Sequence, residues 1–427
     1  MMPDENTSLW TRTCDARIAT TPLDRDIEVD LAVVGGGFTG CSAARAAAAD
    51  GARVALVEAR TIAHGGSGRN VGLANAGLWL PPETIMAQMG EASGRRLLDA
   101  LAAGPARVFD LIEAEGIPCE ATRNGTLHLA HAPAGLADLR ERFRQGNALG
   151  APLALLDEAE TARRTGSPAF HGALLDPRAG TVQPLAYCMG LALAAQRAGA
   201  MVHESTPVDT ITHANGAWTL TANGHRLRAG AVLVATNGYH AGLRGVPAPR
   251  HATVHYSQFA TAPLPETARA RVLPGGEGCW DTALVMTSVR VDRAGRLIVG
   301  SMGNIDGPGR AIHASWARRK LARLYPDLAG TAIETSWQGR IAMTADHVPK
   351  VVSIGPRGYS IFGYSGRGIA PGTVFGEAAA RALLADAPDA LPIPVQDRHD
   401  EALTGAKTAY YEFGATVEHA IRPAPFG

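Results

Sequence analysis

The chain reads as an α/β protein, α+β overall, built on a strand–turn–helix–strand unit with an antiparallel sheet interleaved further along. Three observations carry that reading. Val29–Val34 is a β-branched apolar run of the kind a buried parallel strand shows, and it leads into Gly35, Gly37 and Gly40 and then the alanine-rich stretch Cys41–Asp50. Arg53–Val57 is a second short apolar strand that ends at the acid Glu58. From His251 to Gly303 the pattern changes to short alternating runs, Val254–Phe259, Ala283–Val291 and Arg296–Gly300, with a turn at Asp292–Gly295.

The residue types in the first unit have a chemical logic. Gly35 permits a tight turn, Gly37 lets the backbone approach a pyrophosphate, and Gly40 lets the helix, which Phe38 and Thr39 open, pack close to the strand. The helix start offers unpaired N–H groups and a partial positive charge to phosphates. Glu58, with Ala59 and Arg60 beside it, stands where an acid accepts hydrogen bonds from an adenosine ribose, about twenty residues after the glycine turn. An acid there argues against a 2′-phosphate. The unit is therefore Rossmann-like and binds a dinucleotide. A second glycine-rich loop follows directly, Ala63-His64-Gly65-Gly66-Ser67-Gly68-Arg69-Asn70-Val71-Gly72, where an ordinary NAD-binding fold goes on to another helix.

The bulk numbers exclude several classes. The chain has 427 residues, enough for two sizeable cores, and a formal charge of zero, which gives no electrostatic case for nucleic acid or a membrane surface as main partner. Its five cysteines include no C-x-x-C pair, which suits a reducing cytoplasm and argues against a metal site or disulfide framework. Asp4 and Glu5 stand where a signal peptide would be basic, and no apolar run reaches membrane-spanning length, so a cytoplasmic protein without an integral membrane segment is expected.

Along the chain, residues 1–26 read as an N-terminal arm anchored by Leu9 and Trp10. Glu91–Glu115 has helical spacing of Leu97, Leu98, Leu101, Val108, Leu111 and Ile112. Gly125–His131 alternates like a strand, and Leu136–Leu149 is an amphipathic helix. Pro184–Ala198 is helical, Met201–His203 a short strand, and Trp218–Ala222 with His225–Arg228 a hairpin around Asn223-Gly224. Ala231–Ala235 is a buried strand that runs into Thr236-Asn237-Gly238, a turn at the strand end where ligands of such sheets sit. Ser315–Tyr325 is a helix. The expected division is a discontinuous dinucleotide domain over 27–90, 156–245 and 336–390, a substrate domain over 91–155 and 246–335, and a tail, 391–427, packed on the surface.

The chain resembles the FAD-dependent amine and amino-acid oxidoreductases of the D-amino-acid oxidase superfamily, most of all its bacterial L-pipecolate oxidase (dehydrogenase) and γ-glutamylputrescine oxidase-like families. The resemblance spans roughly residues 8–415. It lies in His64–Leu73, Asn75-Ala76-Gly77, Trp79, Pro81-Pro82, Gly125–His128, Leu174–Asp176 with Arg178–Thr181, Ser288-Val289-Arg290, Gly366-Arg367-Gly368 and Leu391–Pro394. It implies FAD, held by the glycine turn and Glu58, by Gly66, Ser67, Arg69, Asn70, Val71 and Gly72, by the backbone at Val208, by Thr236 and Asn237, and by Gly339 with Gly366, Arg367, Gly368 and Ile369. Sarcosine oxidase-like relatives attach the cofactor through a cysteine near the position of Gly339, so the flavin is expected to be non-covalent here. The implied reaction oxidises a C–N bond by hydride transfer to flavin N5, with a small-molecule amine or imino acid as substrate and oxygen or a quinone- or dye-type acceptor taking the electrons. Only Lys320, Lys350 and Lys407 occur in the chain, none on the strands from His251 to Gly303 where those relatives carry an oxygen-activating lysine, so oxygen is expected to be the poorer acceptor. Arg290 and Arg340 are the candidates for a substrate carboxylate. Tyr256 and Trp280 are candidates for the pocket wall, and Arg367 for the flavin O2 edge. An L-pipecolate-like imino acid is the leading reading; γ-glutamylated or N-alkylated amines are the alternative, and a non-catalytic flavin sensor is the reading from another class.

Overall fold

The structure, a computed structural model, describes residues 7–422, so Asp4, Glu5 and the last five residues of the tail lie outside the described residues. Two large sheets organise it. In the first, the parallel strands run in the order Gly358–Phe362, His225–Val234, Ile27–Val34, Val54–Val57 and Met201–His203, with Lys350–Gly355 antiparallel on the outer edge. The glycine turn follows the central strand, Ile27–Val34, and opens the helix Phe38–Ala49. The hairpin is as expected: Ala217–Ala222 pairs with His225–Val234, and Asn223 and Gly224 both take positive φ, 52° and 80°.

The second sheet runs Ile333–Met343, Ala252–Pro263, Arg296–Met302, Thr287–Val291, Gly278–Asp281, Thr126–Leu129, Ala173–Asp176 and Ala154–Leu156. All neighbours are antiparallel except Gly278–Asp281 with Thr126–Leu129. The run read as one strand from Ala283 begins only at Thr287; Gly278–Asp281, short and with no alternation to announce it, is a separate strand before it.

The helical stretch and several strands fall differently from the expected division, and the tail packs on the surface as expected. The helical stretch is broken at Ala103, where Pro105 allows a new first turn but no continuation, giving Glu91–Ala102 and Gly104–Ala114. Leu97, Leu101, Val108 and Leu111 of these helices share the core of the first sheet rather than that of the second. Ala173–Asp176, with Leu156 and residues 336–343 of the strand Ile333–Met343, joins the second sheet rather than the first. The tail carries an 18-residue helix, Thr404–Ile421, laid on the strand Ala252–Pro263, where the Thr408 hydroxyl accepts from the Thr253 amide. Leu9 and Trp10 are buried as expected, against Ala260, Ile298 and Trp337.

Candidate active site

Between the carboxyl ends of the first sheet and one face of the second lies a cavity of about 860 Å³. That is near the upper end of ligand pockets, large enough for a dinucleotide and a small substrate together. The first sheet contributes Gly35–Thr39, Glu58–Arg60, Val208 and Ala235–Asn237; the second contributes Val254, Tyr256, Gln258, Trp280, Ser288 and Gln338–Met343; the loop Tyr364–Ile369 closes it.

The glycine turn is shaped for a close ligand. Gly35 sits at φ 110°, and a Cβ there would meet the Ala235 carbonyl oxygen at 2.8 Å. Gly40 does not line the cavity: a Cβ on it would collide with the Gly35 carbonyl, so its role is helix–strand packing. No side chain caps the helix Phe38–Ala49 from its N-cap, Gly37. Its first amide, Phe38 N–H, donates to Ser67 Oγ at 3.0 Å, and the next amides have no helical acceptor by position. Glu58 accepts from the Gly36 amide at 2.8 Å and the Arg60 amide at 2.9 Å; burial holds its carboxyl above the usual range, with those bonds opposing.

The second glycine loop is held by its carbonyls. Asn70 Nδ2 donates to the carbonyls of Gly66 (2.9 Å) and Ser67 (3.1 Å), and Ser8 Oγ donates to that of Gly68 (3.0 Å). Trp337 Nε1 donates to the carbonyl of Arg69 (3.0 Å) and Trp10 Nε1 to that of Asn70 (2.8 Å). Arg290 Nη1 donates to those of Val71 (3.0 Å) and Val182 (2.7 Å). Arg69, in turn, donates to the His64 carbonyl at 2.9 Å. The amides of Gly68, Arg69, Asn70 and Gly72 are bonded within the loop, whereas Gly65, Gly66, Ser67 and Val71 line the cavity.

Arg290 is the correction to the sequence reading. It lies on the same strand face as Ser288, two residues on and past the end of the cavity, buried against the Trp10 ring with Nη1 donating to backbone carbonyls and Nε without a partner. Gly72 also lies outside the lining; its φ of 85° and the Val182 carbonyl beside it make it a structural turn. Arg340 does line the cavity, but at an exposed rim, its guanidinium 5.3 Å from the Tyr239 ring. Gly339 faces Arg69, whose Cβ a side chain at 339 would meet at 3.2 Å, and none of the five cysteines lines the cavity. The other residues expected to hold cofactor all line it, from Gly35, Gly37, Phe38 and Thr39 through Glu58, Ala59, Arg60, Gly66, Ser67, Arg69, Asn70, Val71, Val208, Thr236, Asn237 and Gly339 to Gly366, Arg367, Gly368 and Ile369.

Arg367 is the buried cation of the cavity. Its guanidinium sits 4.6 Å from the ring centres of both Trp79 and Trp280, and His128 stacks on Trp280 at 5.0 Å. Burial, with Arg142 adding to it, pushes the Arg367 guanidinium down to about 9, and the same two causes hold His128 neutral, well below its usual value. Tyr256 donates its hydroxyl to the Gly300 carbonyl at 3.1 Å, and burial raises it. Four buried polar atoms at this end have no partner: Arg367 Nε, Trp280 Nε1, Ser288 Oγ and Gln258 Oε1. Each costs about 1–3 kcal/mol if left dry, so together they call for a ligand with both acceptors and donors. Gln258 and Arg142 went unmarked in the sequence because nothing local distinguishes them, and Trp79 entered only as part of the family resemblance, without a role; sheet register and helix placement bring all three to the cavity. His255 faces the other way, 3.8 Å from Glu412 of the tail helix. Among the described residues, no cluster of His, Cys, Asp and Glu is placed to hold a metal, and no helix is long and apolar enough to cross a membrane.

A fold with a flavin-sized cleft at the sheet ends and a substrate floor is that of a flavin-dependent oxidoreductase. Residues 30–382 match the family model described as "FAD dependent oxidoreductase" (DAO), and the chain belongs to this family. It is 30% identical over 344 residues to the probable oxidoreductase OrdL of Rhizobium meliloti, covering 80% of each chain. It is 29% identical over 393 residues to the γ-glutamylputrescine oxidoreductase of Escherichia coli, covering 90% of this chain and 91% of that protein. Its fold matches the crystal structure of glycine oxidase from Geobacillus kaustophilus with a TM-score of 0.71 at 22% identity, covering 88% of this chain and 100% of the other.

The cavity's uncapped helix start, Glu58 and loop fit FAD. When bound, FAD would supply the acceptor for a hydride, that is, for two electrons and one proton. The chain's part would be to bind: the glycine turn would hold the pyrophosphate, Glu58 the ribose hydroxyls and the loop Tyr364–Ile369 the ring edge, all of which line the cavity. The unpartnered atoms beside Trp280 would orient what is oxidised, and the indole walls would exclude water.

Proposed function

We propose that the protein oxidises the C–N bond of a small amino or imino acid, L-pipecolate-like, to an imine, with non-covalent FAD as cofactor. The observation that supports it best is Arg367, a buried guanidinium fixed between two indoles with a free Nε next to the free Nε1 of Trp280. Two donors around one fixed positive charge suit a carboxylate. Gly339, in the place of an attachment cysteine, supports the non-covalent cofactor.

A second reading, a γ-glutamylated or N-alkylated amine, draws on the likeness to the γ-glutamylputrescine oxidoreductase and on the Asp138–Arg142 ion pair, 2.7 Å, in the cavity lining. That pair sets one charge of each sign in the cavity wall. The test is anaerobic bleaching of the flavin by a panel of L-pipecolate, L-proline, sarcosine, γ-glutamylputrescine and uncharged amines, on wild type and Arg367→Met. Losing one buried partner of a charge pair costs about 2–5 kcal/mol, so KM for the imino acids should rise at least about thirtyfold in the variant, and far less for uncharged amines. Equal losses on both would remove Arg367 from carboxylate recognition.

A further inference from the structure

Strand Ala252–Pro263 turns Val254, Tyr256 and Gln258 to the cavity, every second residue, while Ser257 bonds the Gly303 carbonyl on the opposite face. Gln258 is 1% exposed and its Oε1 has no partner. Room for its carboxamide exists because its register partner on strand Arg296–Met302 is Gly300, where a Cβ would collide with Gln258 Oε1 and stand 2.7 Å from Nε2. A buried amide of this kind is costly unless something else completes it.

We propose that Gln258 is the positioning residue that accepts the substrate's N–H and, being uncharged, holds the amine in its neutral form; this rests on the function proposed above. Hydride departure from the carbon needs the nitrogen lone pair to form the C=N bond, and an ammonium has no lone pair to give. The surrounding charges agree. The charged and titratable groups lining this part of the cavity on the neighbouring elements are Tyr256, His128, Arg367, Arg142, Asp138, Asp281 and Asp306. Asp281 is committed to Lys320 Nζ at 3.1 Å and to the Thr287 amide at 2.9 Å. Asp138 is committed to Arg142, and Asp306 accepts from Gln338 Nε2. Asp306 keeps its charge while accepting that bond, and Arg367, the buried cation of the cavity, repels an ammonium. A carboxylate at position 258 would hold that ammonium; the carboxamide does not.

The experiment is the pH dependence of flavin reduction at saturating substrate in the holoenzyme, with the best amine of the panel, for wild type, Gln258→Glu and Gln258→Met. In the Glu variant the acidic limb, which reports deprotonation of the bound amine, should move up by about one pH unit, a tenfold change in proton affinity. In the Met variant the limb should stay in place while KM rises about tenfold for loss of one buried hydrogen bond. A limb that stays put in a flavin-loaded Glu variant overturns the proposal. Should the Glu variant not retain FAD, the Met variant decides, an unchanged KM overturning it and a raised one supporting it. Failure of every amine to bleach wild-type flavin would instead overturn the proposed function, and this inference with it.

Discussion

Glu58→Gln isolates the adenosine end of the cavity. In the wild type one carboxylate oxygen accepts from Gly36 and the other from Arg60, at 2.8 and 2.9 Å. Glutamine keeps one acceptor and turns the other position into a donor, so one of those amides meets an N–H. A charge-assisted bond contributes about 1.5–3 kcal/mol. Part of that returns, because burial already opposes the charge on this carboxylate. The apo-protein should therefore lose only about 1–2 kcal/mol and stay folded. FAD loses more: a ribose hydroxyl that donated to a carboxylate now shares a neutral amide, which weakens binding by roughly ten- to a hundredfold. Titration of apo-protein with FAD, followed by quenching of flavin fluorescence, reads the dissociation constant, and a melt of the apo-protein reads the fold. A constant within about twofold of wild type would show that Glu58 serves the turn and not the ribose.

Other outcomes follow from the same geometry. Arg290→Met should lower the melting temperature and FAD affinity while leaving the ratio of KM values for imino acids and uncharged amines unchanged; a shift in that ratio would return Arg290 to substrate recognition. Acid or heat precipitation should release all the flavin into the supernatant as intact FAD, and flavin left on the polypeptide would show a covalent bond. Reduced enzyme mixed with air-saturated buffer in a stopped-flow instrument should reoxidise more slowly than with a quinone or dye, since Lys320 is tied to Asp281; equally fast reoxidation would make it an oxidase. His419 is pushed down to about 3, by burial first and then by His313, Lys320 and Arg319. An unfolded histidine titrates near about 6.5, so between that pH and about 3 the unfolded chain binds more protons, and stability rises with pH across the window and is lost on acidification. Acidifying from about pH 7 to about pH 5 should loosen the helix Thr404–Ile421, read by hydrogen exchange, and His419→Leu should flatten that slope.

Local chemistry made the dinucleotide half legible. The turn at Gly35, Gly37 and Gly40, the acid at Glu58 and the hairpin at Asn223-Gly224 each need particular residues at fixed spacing, and spacing survives in sequence. Arg290 misled for a related reason. A guanidinium on a substrate-side strand looks the same whether it ends at a ligand or at the Val182 carbonyl, and a shift of two residues along the strand decides between them. Gln258 was invisible because its meaning lies in Gly300 across the sheet, a register fact. The break at Ala103 was hidden because the apolar spacing continues through it, and the tail helix because its burial rests on distant partners such as Trp316, stacked on His419 at 4.1 Å.

The bonds from Ser8 and Trp10 to the glycine loop have a kinetic side. Every other donor to that loop sits on a strand, in a helix-bound segment or in the loop itself, whereas Trp10 lies in the helix Leu9–Thr13 and Ser8 caps it, and that helix is part of no sheet. The arm is a clasp that can lift without unzipping a sheet. Opening it would cost the burial of Leu9 and Trp10, 3% and 0% exposed, while both sheets of the cradle stay paired. Removing residues 1–13 should speed FAD release more than it slows FAD capture, so the first stretch of the chain would set how long the cofactor stays.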